Sequence, residues 1–220
     1  MKVKRALLAL SGLLLAWSGP AAAADETARF ELTLDIIWSA GTAPFEFPEG
    51  AHLSRLFGAT HGGCVVLFRD GWTASSGLEL LAENGRGSLL LAEFAEAQRR
   101  GRLGRVIEGP GLGTVPGRVR VEFEATREHD LVSFVTMLAP SPDWFTGLAD
   151  IRLLRDGDWI EEARFPLWAW DGGTDDGATY AAANADTQPR QSIRLLATPH
   201  VLGPQGLVRL GTAELRRLPP

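Results

Sequence analysis

Apolar and polar positions alternate most clearly near the start of the chain, where Phe30, Leu32, Leu34 and Ile36 are separated by Glu31, Thr33 and Asp35. A period of two predicts a half-buried β-strand. The same alternation returns after Pro116-Gly117, where Val119, Val121, Phe123 and Ala125 intersperse with Arg120, Glu122 and Glu124. Leu131 to Leu138 is apolar on both faces, as a central strand would be. Cys64 to Phe68 reads as another strand, nearly all apolar. Ile151 to Leu154 and Trp159 to Trp168 flank Arg155-Asp156-Gly157-Asp158, and Asp-Gly between two apolar runs predicts a hairpin. Gln191 to Leu196 and Gly206 to Leu210 supply two more strands.

One segment has a helical period. Leu90, Leu91, Phe94 and Ala97 form a stripe over Leu89 to Arg100, with Ser88 as N-cap, Arg99 and Arg100 in the last turn and Gly101 as the stop. Leu78 to Glu83 reads as a short helical turn. Gly41 to Gly63, with Pro44 and Pro48, reads as a long structured loop. About eight strands, one main helix and no βαβ alternation predict an all-β fold, an antiparallel β-sandwich with a helical insertion. No repeat or linker divides residues 25–220, so one domain is expected.

Met1 to Ala24 has the layout of a signal peptide. Lys2, Lys4 and Arg5 precede the apolar run Ala6 to Trp17, and Ala22-Ala23-Ala24 offers a small-residue cleavage site. That run, roughly 12 residues against the ~20 needed, is too short to span a bilayer. The mature chain is expected to be secreted or periplasmic, without a transmembrane segment; a retained N-terminal anchor is the other reading. The net charge of −5 and the absence of a basic run along the sequence argue against nucleic acid as a partner. Cys64 is the only cysteine, so no intramolecular disulfide forms, and its apolar context predicts a buried thiol.

Candidate chemistry concentrates around the hairpin. If its strands pair, Asp143 before the first and Asp171 and Asp175 after the second lie at one end of the sandwich. Carboxylates in Gly-rich loops are what calcium selects, although the same residues also make solvated turns. Asp176 is a second-rank candidate. Trp144, Phe145, Trp168 and Trp170 adjoin these loops and either face a ligand or pack the loops onto the sandwich. His52 and His61 could bind zinc but have no evident third ligand, so they are expected to satisfy loop backbone groups. Gly109-Pro110-Gly111-Leu112-Gly113 lacks the Gly-Lys-Ser/Thr ending of a phosphate loop and reads as a turn. No nucleophile elbow or zinc-protease motif is present, and carboxylates in wet loops are poorly suited to acid/base work.

Ala139-Pro140-Ser141-Pro142-Asp143-Trp144-Phe145, followed one hairpin later by Asp171-Gly172-Gly173-Thr174-Asp175-Asp176-Gly177, resembles the signature of the spondin domain. That is the sandwich domain of extracellular matrix proteins such as F-spondin and mindin, also found in bacterial secreted proteins. Ala51-His52-Leu53-Ser54, Gly58-Ala59-Thr60-His61, Ala82-Glu83-Asn84-Gly85, Ser133-Phe134-Val135 and Asp186-Thr187-Gln188-Pro189 agree in order. The chain departs from the family in having Trp170 for a usual Tyr and Asp176 for a usual Ser. The resemblance implies an exported calcium-binding recognition or adhesion module rather than an enzyme. It would carry calcium (Ca2+) on Asp143, Asp171 and Asp175 and act on an extracellular or cell-surface ligand. The alternative is a periplasmic carbohydrate- or surface-binding sandwich without a metal site. If the leader is processed as expected, mass spectrometry of exported protein will give an N-terminus at Asp25; intact Met1 on such material would contradict it.

Overall fold

The computed structural model describes residues 26–219. The leader and its cleavage site lie outside the described residues. In chain order, β1 (Thr27–Ile36) leads through a loop to β2 (His52–Leu53) and β3 (Phe57–His61). Two helices follow, α1 (Ser76–Asn84) and α2 (Ser88–Arg99). Four longer strands come next: β4 (Leu103–Glu108), β5 (Gly117–Thr126), β6 (Leu131–Ala139) and β7 (Trp144–Arg152). The short pair β8 (Leu154–Arg155) and β9 (Asp158–Trp159) precedes β10 (Glu162–Leu167) and β11 (Ala169–Asp171). The chain finishes with β12 (Arg194–Leu195), β13 (Leu202–Gly203), β14 (Gly206–Leu207) and β15 (Gly211–Arg217).

These strands form two principal antiparallel sheets, ordered β10-β15-β1-β5 and β12-β11-β7-β6-β3-β4, with β2 against β6. Phe30, Leu32 and Leu34 of β1, Phe123 of β5 and Leu215 of β15 share one core with Val132, Phe134 and Leu138 of β6. The second sheet also presents Phe57 and Ala59 of β3 and Val135 of β6 to Leu78 and Leu81 of α1 and Leu90 and Phe94 of α2. The helices therefore form a third layer. Both faces of β6 are covered, which is why all nine of its residues are buried. A fully buried Leu or Phe contributes about 1.5–3 kcal/mol, so two such cores stabilise the chain without a cross-link.

The expected sandwich and helical insertion are both present, and several element boundaries move. Cys64 to Phe68 is not a strand; the strand lies in Phe57–His61, inside what reads as loop. Its Gly58 and Ala59 give no alternation because the strand is buried on both faces. A Cβ on Gly58 would lie 2.4 Å from the Ser133 carbonyl oxygen, so the inter-strand approach requires glycine. The 64–68 segment is a strap that buries Leu67 and Phe68 in the helical core and leaves Cys64 in an exposed turn. Gly87, rather than Ser88, is the N-cap of α2; a Cβ there would meet the Phe57 ring at 2.3 Å. β4 and β15 were not expected, and the predicted terminal strands contract to β12 and β14.

The hairpin turn forms as predicted, with Leu154 opposite Trp159 and Arg155 opposite Asp158. Asp156 and Gly157 both have positive φ, 54° and 89°, as a type I′ turn requires. The flanking strands do not pair throughout. β10 crosses to the other sheet and pairs with β15, and only β11 returns to pair with β7. The exposed Cys64 should react with a thiol reagent at nearly the same rate in the native and denatured protein. Native protection greater than about tenfold would contradict its exposure.

Candidate functional site

The β7–β11 pairing places Asp171 opposite Trp144, directly beside Asp143. The entry loop is fixed by Ser141, whose hydroxyl accepts the Trp144 amide at 3.1 Å. Asp143 is 1% exposed. Its Oδ2 accepts the backbone amides of Thr174 (2.7 Å) and Asp175 (3.2 Å) and the Thr174 hydroxyl (3.3 Å). Gly173 makes this wrapping possible: its φ is +71°, and a Cβ there would lie 2.5 Å from the Gln191 carbonyl oxygen. The outer side of the loop is held by the Asp176 amide on Ala185 O and the Thr187 amide on Thr174 O, both at 2.8 Å. This gives the Asp186-Thr187 segment its part in the site.

Asp171 Oδ1 accepts the Gly173 amide at 2.9 Å, and its Oδ2 takes an ion pair from Arg194 at 3.0 Å. Asp175 accepts the Gly177 amide at 2.7 Å and the Ala185 amide at 3.1 Å, one on each oxygen. Both line a depression of about 210 Å³ with Trp144, Arg194 and Thr198. Asp176 is exposed and accepts from Gln191 Nε2 at 3.2 Å. The three predicted aspartates thus meet in one loop system, but they are not the wet turns that Gly-rich acidic segments suggest. All three are buried.

Asp143 Oδ1 is buried and has no hydrogen-bond partner. Burial, joined by the Asp171 charge, pushes the Asp143 carboxyl up to about 6 against the lowering effect of the loop amides. The sequence reading missed Glu83, at the end of α1. Its Oε1 is likewise buried without a partner, and its pKa is raised first by burial and then by Glu79, Asp175 and Asp143, against a lowering contribution from Thr174. A carboxylate in the last turn of a helix opposes the helix dipole, and that misfit was visible in the sequence.

Calcium, which the resemblance implies, needs oxygen donors with free lone pairs. Asp143 Oδ1 meets that need, and the donor set, carboxylate and carbonyl oxygen, has the right chemistry. The backbone amides on Asp171 Oδ1 and on Asp175 leave a second lone pair on each of those oxygens. Arg194 competes for Asp171 Oδ2. Among the described residues no three His, Cys, Asp or Glu side chains converge into a ligand set by themselves, so other oxygens would have to complete a shell.

The neighbouring aromatics pack the loops rather than project from them. Trp144 is 2% exposed, with ring centroids 5.0 Å from Tyr180 and 5.3 Å from His200. Phe145 and the half-buried Trp170 both meet Phe68, and Trp168 is half-buried. The two histidines considered for zinc, His52 in β2 and His61 in β3, do not line the depression. His61 Nδ1 bonds Gly62 O and its Nε2 bonds Ser133 Oγ, and His52 Nδ1 bonds Gly50 O.

The Spondin_N family model matches residues 28–204. Spondin-2 of Homo sapiens is 34% identical over 199 residues, covering 84% of this chain and 60% of that protein. Spondin-1 of Gallus gallus is 36% identical over 180 residues, covering 78% of this chain and 22% of that protein. The chain therefore spans only part of the relatives it matches.

A carboxyl whose folded pKa lies above its unfolded value stabilises the fold fully below the unfolded pKa, and that stabilisation is lost as pH rises through the folded pKa. For Asp143 the window runs from 3.8 to about 6. In chelator, wild type should gain stability relative to Asp143→Asn as pH falls from 7.5 to 4.5, by about 2 kcal/mol. Paired thermal melts measure this, and a difference that does not change with pH would show that Asp143 is not desolvated.

Proposed function

The chain belongs to the spondin family, and on that premise we propose that it is an exported, non-catalytic recognition or adhesion module whose acidic loops are stabilised by calcium. The observation that carries this reading is the divided role of Asp143, with one oxygen organising the 172–177 loop and the other buried without a partner. Burying a carboxylate oxygen without a partner is costly, and a second carboxylate alongside adds to the cost. A divalent cation relieves both. Asp143 would hold it through Oδ1, with Asp171 and Asp175 beside it and carbonyl or water oxygen completing the shell. The bound ion would supply positive charge among three buried aspartates of one loop system. Through the Asp143 Oδ2 bonds, the same aspartate then ties the ion to the conformation of the loop. The ligand would be extracellular or on a cell surface, met in the periplasm or after secretion.

Acid/base catalysis is the other use of a carboxyl with a raised pKa. Asp143 meets that half of the requirement and fails the other. At 1% exposure, with Oδ2 committed to backbone amides, it has no approach for a substrate.

A cation that binds only the folded state adds roughly 2.7 kcal/mol at a hundredfold excess over Kd. That corresponds to a rise in Tm of about 5 to 10 °C, at ~2–4 °C per kcal/mol. Magnesium should do less, since it demands tighter octahedral geometry and dehydrates reluctantly. Asp171→Asn should remove most of the calcium-dependent rise and leave the melting point in chelator similar or higher. The check is a melt of the mature domain in millimolar calcium and in chelator, for wild type and for the Asn variants of residues 143, 171 and 175. Coincident wild-type curves would mean that the acidic loops are only turns.

A further inference from the structure

A second surface lies on the outer face of the β10-β15-β1-β5 sheet, where an open trough of about 850 Å³ runs over the strands. Five arginines line it: Arg118 and Arg120 from β5, Arg164 from β10, Arg209 from the segment before β15, and Arg216 from β15. Three are neutralised in place. Arg118 pairs with Asp35 (3.2 Å), Arg216 with Glu31 (2.9 Å), and Arg164 with Glu162 and Glu214 (2.9 and 3.1 Å). The side chains of Arg120 and Arg209 form no ion pair or hydrogen bond among the described residues.

The register explains why. Across the sheet, Arg164 faces Glu214, which faces Thr33, which faces Arg120. Thr33 stands where an acidic residue would pair with Arg120. In the next row Pro166, Thr212 and Asp35 lead to Arg118, so one carboxylate serves that end of the trough. Arg120 and Arg209 are thus in excess of the carboxylates, and two threonine hydroxyls, neutral hydrogen-bond donors and acceptors, line the same trough. Its cations are all guanidinium groups; the only lysines in the chain are Lys2 and Lys4. A guanidinium grips a planar carboxylate or a sulfate with two parallel N–H bonds and stays charged at every accessible pH.

Phe165 and Pro166 are the apolar residues among those that line the trough. None of the large exposed apolar side chains (Ile37, Phe45, Trp72, Leu89, Leu195, Leu202 and Leu207) lines the trough. Insertion into a bilayer or capture of a peptide by apolar anchors needs such groups. A hydroxyl-rich chain with regularly spaced anions needs none of them. From this we infer that the sheet face binds an acidic polysaccharide, its carboxylate or sulfate groups seated between Arg120 and Arg209 over Thr33 and Thr212. The site is separate from the acidic loops and needs no metal.

The test measures affinity of the mature domain for heparin, which carries sulfate, and for polygalacturonate, which carries only carboxylate. Duplex DNA, poly-glutamate and phosphatidylserine vesicles serve as competitors of other classes. Binding to at least one polysaccharide is expected at 50 mM salt. It should weaken at 300 mM, where screening shortens to within about 10 Å. Chelator and Asp171→Asn should leave it unchanged. The double variant Arg120→Ser/Arg209→Ser should bind about tenfold more weakly, the loss of two exposed charge contacts. If that variant melts lower than wild type, Arg209→Ser, which lies outside any strand, carries the comparison. The sulfate and carboxylate arms decide which anion the trough prefers. Failure of both polymers at 50 mM salt, wild-type affinity in the variant, or equal affinity for DNA, poly-glutamate or vesicles would overturn the assignment.

Discussion

The two-sided burial of β6 is the constraint from which the rest of the structure follows. A strand covered on both faces needs a sheet on one side and something else on the other, and here the something else is the α1–α2 pair. β3 and β7 flank β6 and inherit the same demand at close quarters. Gly58 meets it against Ser133 and Gly147 against Phe134, where a Cβ would lie 2.1 Å from the carbonyl oxygen. β6 then delivers the chain to Asp143 at a fixed height and angle, so the position of the acidic loops is set by packing far from them.

Much of this is legible in the sequence. β1, β5 and β6 announce themselves through alternation or continuous hydrophobicity, and the Asp156-Gly157 turn through its demand for positive φ. β3 was hidden because a strand buried on both faces and built from Gly, Ala, Thr and His has no period to read. Cys64 misled for the opposite reason. Its apolar neighbours are buried by a strap rather than by a strand, and the thiol lies outside their reach.

The acidic site was legible in its residues and not in its physics. Spacing and the family signature pointed to Asp143, Asp171 and Asp175, and the β7–β11 pairing sets Asp171 beside Asp143 although β10 leaves the hairpin for the other sheet. Composition, however, suggested open, hydrated loops. The backbone amides that wrap Asp143 and seal it from water are carried by Thr174 and Asp175, and amides leave no trace in composition. Glu83 was missed because it reaches the site from a helix remote in sequence. The arginine face escaped for a related reason. Both signs are mixed along β1, β5 and β15, and the excess appears only when four strands are laid side by side.

The guanidinium composition of that face has a consequence for the molecule in acid. Arginine keeps its charge throughout, so the cations of the sheet face are the same in any compartment. The acidic loops change, because Asp143 takes up a proton near pH 6. Between a neutral medium and a mildly acidic one, the loops lose negative charge while the guanidinium groups keep theirs. A charged matrix therefore meets unchanged cations on the sheet face and, in acid, a less negative set of loops.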